Sequence, residues 1–131
     1  MLLNAKVISF IATARPAEAK AFYQNVLRLP LRSEDKFATV FGMGTGSLRV
    51  TPVEALVPAP FTVLGWEVGD IREECKVLGE FGVVFQKFPG LEQDKTGIWT
   101  APGGAKVSWF KDPDGNILSL TQPAGKPADK S

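Results

Sequence analysis

The chain carries one string of elements twice, and that repetition limits its fold more than any other feature. Residues 6–13 (KVISFIAT) form an apolar, β-prone run, followed by Ala14-Arg15-Pro16 and a helical pattern. Residues 61–68 (FTVLGWEV) form a second such run, followed by Gly69-Asp70 and a second helical pattern. In the first helix Ala19, Phe22, Tyr23, Val26 and Leu27 share one face, with Pro16 suited to the first turn. In the second, Ile71, Cys75, Leu78 and Phe81 share a face, and Asp70 with Glu73 three residues on reads as a capping box. Both helices are short and one-sided, so each must lie against a sheet.

Strand patterns follow each helix. Asp35-Lys36-Phe37-Ala38-Thr39-Val40-Phe41 in the first copy is echoed by Asp94-Lys95-Thr96-Gly97-Ile98-Trp99-Thr100 in the second. Glycine-bearing turns then lead into Ser47–Thr51 and into Ala105–Phe110. Only the second copy continues, through a turn at Asp112–Asn116 into a strand at Ile117–Gln122, so the first copy is expected to have lost or shortened a strand. Module one spans about residues 5–52, a proline-containing linker covers 53–60, and module two covers 61–122. Together they make a single domain over 1–122, with a polar tail at 123–131 that is expected to be flexible. The expected class is α+β: two βαβββ modules forming a cupped mixed β-sheet with helices on the outer face and a concavity between the modules.

Bulk properties exclude several functions. A net charge of +1 gives no electrostatic footprint for nucleic acid or an anionic membrane. No apolar run approaches the length of a membrane span. Cys75 is the sole cysteine, so there is no internal disulfide; on an apolar helix face it reads as an inert core thiol. The chain contains no histidine, which removes Ser/His and Cys/His hydrolases from consideration. Val7–Ala14 ends in Ala12-Thr13-Ala14, like a signal-peptidase site, but Asn4 and Lys6 interrupt the apolar stretch and no basic residue precedes Lys6. The segment is read as a mature strand, and the expected location is cytoplasmic.

Three segments carry a family likeness: Ala21-Phe22-Tyr23-Gln24-Asn25-Val26-Leu27-Arg28-Leu29, Gly65-Trp66-Glu67-Val68-Gly69-Asp70-Ile71, and Lys111 to Leu120 with its Asp-Pro-Asp-Gly-Asn turn. In these the chain resembles the vicinal oxygen chelate superfamily, which includes glyoxalase I, extradiol dioxygenases and the bleomycin- and fosfomycin-resistance proteins. Arg28 stands where that family usually has glycine. The resemblance implies the paired βαβββ fold and a homodimer. It also implies metal ligands on the first strand of each module and on the last strand, positions that fall near Ile8, Val63 and Ser119. None of these side chains is a competent ligand for a divalent cation, so no metal and no other cofactor is expected.

Strand alternation places Ile8, Phe10 and Ala12, then Val63, Gly65 and Glu67, then Ile117, Ser119 and Thr121 toward the concavity. Ile8, Phe10 and Val63 would wall a pocket for an apolar ligand, with room left by Gly65. Trp99 and Trp109, on adjacent strands, are candidates to stack a planar molecule, whereas Trp66 has helix-facing parity and reads as core. Arg49 is suited to anchor a carboxylate, Glu67 and Ser119 to make polar contacts, and Asp94 is the one acid nominated as a general base. Each has a plainer reading as core, strand filler or solvated edge. For Asp94 that reading is a turn leading into a strand, since Asp35-Lys36 occupies the same place in the first copy. The leading functional expectation is metal-independent binding of a small hydrophobic or aromatic molecule, resembling the bleomycin-resistance type. The alternatives are a glyoxalase- or dioxygenase-type enzyme with atypical catalytic residues, and a protein-interaction scaffold with a closed cavity.

Overall fold

Each repeat folds into its own four-stranded sheet, and the two sheets share one strand order. The computed structural model describes residues 1–125. The first repeat contains β1 (Ile8–Thr13), α1 (Pro16–Ala21), β2 (Leu31–Glu34), β3 (Thr39–Met43) and β4 (Gly46–Pro52). The second contains β5 (Thr62–Glu67), α2 (Ile71–Glu80), β6 (Trp99–Thr100), β7 (Lys106–Lys111) and β8 (Ile117–Gln122). The orders are β1-β4-β3-β2 and β5-β8-β7-β6. In each sheet the first strand pairs in parallel with the last and the other pairings are antiparallel. The chain divides into two compact units, Met1–Pro58 with Asp112–Gly115, and Ala59–Lys111 with Asn116 onward. From residue 126 the expected tail lies outside the described residues.

The expectation of a missing strand in the first copy is overturned, because Leu31–Glu34 forms β2. Its four residues are all exposed and show no apolar alternation, so an edge strand of this kind leaves no period-two signal. The stunted strand is in the second copy: of Asp94–Thr100 only Trp99–Thr100 is strand, extended by a bridge from Gln93 to Trp99. Likewise Asp35–Ala38 is a turn, and β3 begins at Thr39.

The first helix is also shorter than its pattern. After Ala21 the chain widens into a π-type turn over Phe22–Val26, closed by the Leu27 N–H donating to the Phe22 carbonyl at 3.0 Å. The extra residue rotates the apolar stripe, so Ala19 and Tyr23 are fully buried while Phe22, Val26 and Leu27 are only half-buried. Arg28 follows in the left-handed region at φ 63°, which explains why a glycine suits this position. In α2 the Asp70 carboxylate accepts the Glu73 N–H at 3.1 Å, and Ile71, Cys75 and Leu78 are buried as the spacing predicts. Phe81 departs from that stripe: it lies past the helix end and is 46 % exposed.

Tyr23, Phe41 and Leu48 centre the core of the first unit; Ile71, Cys75, Phe110 and Leu118 centre that of the second. Each such side chain contributes about 1.5–3 kcal/mol by leaving water. The Cys75 Sγ lies 3.3 Å from the Ser108 Oγ, and burial raises its thiol pKa although Ser108 works in the other direction. It is a core residue, as expected. Among the described residues no helix is long and apolar enough to cross a membrane.

Candidate functional site

Pairing register decides which side chains share a sheet face, because directly opposed residues point the same way. In the second sheet Gly65 and Glu67 oppose Ser119 and Thr121, which oppose Trp109 and Val107, and Val107 opposes Trp99. One face therefore collects Gly65, Glu67, Ser119, Thr121, Trp109 and Trp99; Val63, expected beside them, is instead the extra residue of a bulge between Thr62 and Leu64. The other face carries Trp66, Leu118, Leu120 and Phe110 toward α2, as the alternation predicts.

On the face away from α2 the Trp99 and Trp109 rings are 6.3 Å apart and tilted by 34°. Phe88, from the segment between α2 and β6, meets Trp109 edge-on at 5.3 Å. All three rings are half-buried, so each keeps a surface open to a ligand. The Gln93 amide holds this segment. Its oxygen accepts the Phe88 N–H at 2.8 Å, and its nitrogen donates to the carbonyls of Gln86 and Gly97 at 2.8 and 2.7 Å. Neither Phe88 nor the Gln93 staple stood out in the sequence; a glutamine between a phenylalanine and a glycine turn is too common a pattern to mark one.

Two expectations for this face change. The room at Gly65 is taken by Ser119, whose Oγ lies 2.6 Å from where a Cβ on Gly65 would stand. That explains the glycine, and leaves Ser119 buried, 8 % exposed, rather than projecting to a ligand. Asp94 is occupied as well: its Oδ1 accepts the N–H groups of Thr96, Gly97 and Ile98 at 2.9–3.0 Å, and its Oδ2 pairs with Arg72 at 3.3 Å. Desolvation pushes its pKa up, but the Ile98 and Thr96 N–H groups and Arg72 outweigh it and hold the carboxyl below its ordinary range. A carboxylate so committed is a poor general base. Asp35 does the same in the first copy, accepting the N–H groups of Phe37 and Ala38, so the plainer reading of Asp94 is the one that the bonds support.

In the first sheet Ile11, Leu48, Val50 and Phe41 face α1 and are buried. Ile8, Phe10, Ala12, Arg49 and Val40 lie on the opposite face; Ile8 is 53 % and Phe10 68 % exposed, so neither is core of its unit. Arg49, half-buried, stands beside Phe10 and opposite Val40. On the helix side of this sheet a groove of about 580 Å³ is lined by residues including Thr13, Lys20, Glu34 and Val50. It contains none of the expected site residues, and Lys20 and Glu34 pair with each other at 2.8 Å.

The Asp112–Gly115 turn does more than reverse the chain. The Asp112 Oδ2 accepts the buried Tyr23 hydroxyl at 2.8 Å, and its Oδ1 accepts the Asp114 N–H at 2.9 Å. Asp114 accepts the Ala14 N–H at 2.8 Å and the Thr13 hydroxyl, and the Pro113 carbonyl accepts from Arg15 at 2.8 Å. The Asp114 carboxylate thus binds the corner between β1 and α1, and that of Asp112 binds Tyr23 in the turn that follows α1. Sequence signals for this were present, since a tyrosine hydroxyl in a helix stripe must find a partner when buried.

The positions implied for metal ligands carry hydrocarbon at Ile8 and Val63 and a neutral hydroxyl, packed on Gly65, at Ser119. Among the described residues no group of three or more His, Cys, Asp or Glu side chains is arranged to hold an ion. The donor set does not fit a divalent cation.

Residues 6–120 match the family model described as Glyoxalase/Bleomycin resistance protein/Dioxygenase superfamily. No curated protein matches the chain. Among solved structures it is similar to a member of that superfamily from Sphaerobacter thermophilus, with 21% identity, TM-score 0.73, and 94% of this chain and 100% of that one covered. It is also similar to lactoylglutathione lyase from Agrobacterium tumefaciens, at 16% identity and TM-score 0.71 over 91% and 93% of the two chains. TioX from Micromonospora sp. ML1 has 15% identity and TM-score 0.68 over 91% and 98%. At these identities the likeness is one of fold.

Proposed function

The chain belongs to the Glyoxalase/Bleomycin resistance protein/Dioxygenase superfamily, and we propose that it binds a small planar hydrophobic molecule without a metal. One observation carries the reading: Trp99, Trp109 and Phe88 gather on the sheet face turned away from α2. Aromatic walls of this kind supply stacking of about 0.5–1.5 kcal/mol per ring beyond the area they bury, and the chemistry they perform is retention rather than turnover. The donor set at Ile8, Val63 and Ser119 favours the metal-free form of this reading, since fold alone does not fix chemistry.

Titration with neutral phenylnaphthylamine tests it, read by energy transfer from tryptophan with and without a chelator. Binding is expected to persist with the chelator and to weaken roughly 2- to 13-fold in Trp99→Leu. Absence of binding, or its loss on chelation, overturns the reading.

A further inference from the structure

On the first sheet two arginines come to one face, one of them through a slip in strand pairing. Pairing of β2 with β3 slips between Leu31 and Ser33, so Arg32 is the extra residue of a β-bulge. Bulges re-aim side chains, and this one turns Arg32 onto the face away from α1. Its Nε, Nη2 and Cζ lie 2.6, 2.6 and 2.8 Å from the point where a Cβ on Gly42 would stand. The guanidinium therefore occupies the space that a side chain at residue 42 would fill. Gly42 opposes Ser47 while Arg49 opposes Val40, which makes Gly42 and Arg49 diagonal neighbours on that face, typically about 7–8 Å apart. Phe10, beside Arg49, is 68 % exposed. Among the described residues neither Arg32 nor Arg49 has a carboxylate partner; the ion pairs there join Arg15 with Glu18, Lys20 with Glu34 and Arg72 with Asp94.

We propose that Arg32 and Arg49, set around the bare backbone of Gly42, form a site for the acid group of an aromatic anion whose ring rests on Phe10. Two guanidinium forks without a resident acid match a planar oxyanion, and the pre-set Arg32 loses little freedom on binding. An exposed phenylalanine beside them favours an aryl acid over a bare inorganic anion. The site lies on a different sheet from the aromatic face above and goes beyond that reading by adding an anionic class of ligand.

Calorimetry with naphthoic acid, naphthyl phosphate and neutral naphthamide tests it, on the wild type and on Arg32→Met, Arg49→Met and Gly42→Ala. An added Cβ at residue 42 meets only the end of a flexible side chain, so Gly42→Ala displaces the guanidinium and keeps the fold; circular dichroism checks each variant. The acid is expected to bind about 10- to 100-fold tighter than the amide, a preference that falls to within about threefold in either methionine variant and is reduced in Gly42→Ala. Tighter binding of the phosphate than of the carboxylate would assign the site to phosphate esters within the same chemistry. Equal binding of acid and amide overturns this site while leaving the hydrophobic-ligand reading intact. No binding of any of the three overturns both.

Discussion

Tyr23→Phe removes one oxygen from the interior of the first unit, and the structure fixes what that oxygen does. Tyr23 is 0 % and Asp112 5 % exposed, and the hydroxyl donates to the carboxylate at 2.8 Å. The substitution keeps the ring, which packs against Phe22 and Phe41, so no cavity of consequence opens. What is lost is a donor to a buried carboxylate that retains the Asp114 N–H on its other oxygen. A hydrogen bond to a charged group contributes about 1.5–3 kcal/mol. With an unfolding entropy of about 2.1 cal/mol/K per residue over 131 residues, each kcal/mol shifts Tm by about 3.6 °C. Tyr23→Phe should therefore melt about 5–11 °C below wild type in a calorimetric scan at neutral pH. Asp112→Asn and the double variant complete the cycle, and a coupling above about 1 kcal/mol is expected between the two sites. A Tm within about 2 °C of wild type, with no coupling, would mean that the bond contributes nothing to stability.

Four more outcomes follow from the same geometry. Burial first, then the Asp112 charge and hydrogen bond, raise the pKa of Tyr23, the sole tyrosine, far above its ordinary value near 10; the hydroxyl should show no tyrosinate absorbance until the chain unfolds. An acid raised on folding stabilises fully below its unfolded pKa and loses that stability as pH climbs past it, so wild type should lose up to about 1.4 kcal/mol per pH unit above pH 10 relative to Tyr23→Phe. Asp94, lowered on folding, gives the opposite sign. In urea melts Asp94→Asn should trail wild type by less than about 1 kcal/mol at neutral pH and converge with it as pH falls below 3.8, since the partner Arg72 is largely exposed. Arg28→Gly should raise stability by about 1 kcal/mol in the same melts, by relieving the left-handed backbone at φ 63°. Gln93→Leu should cost about 1–3 kcal/mol and change the near-ultraviolet circular dichroism of Trp109, because Phe88 loses its anchor.

Whatever depends on neighbours along the chain can be read from its residues. The repeat, the cap at Asp70, the turn at Asp112–Asn116 and the two faces of β1, of β8 and of β5 from Leu64 onward follow from periods of two and about four residues, which local backbone geometry imposes. Whatever needs a partner from a distant part of the chain waits on packing. The carboxylates of Asp112 and Asp114 acquire their roles from Tyr23 and Thr13, 89 and 101 residues away. β2 exists because β3 offers it an edge, not because its own residues alternate. Arg32 reaches its face through a slip of register, Asp94 is spent on a turn, and Gly65 is filled by Ser119. Chemistry at a site is a matter of which polar atoms meet and which are already satisfied, and only the packed chain settles both.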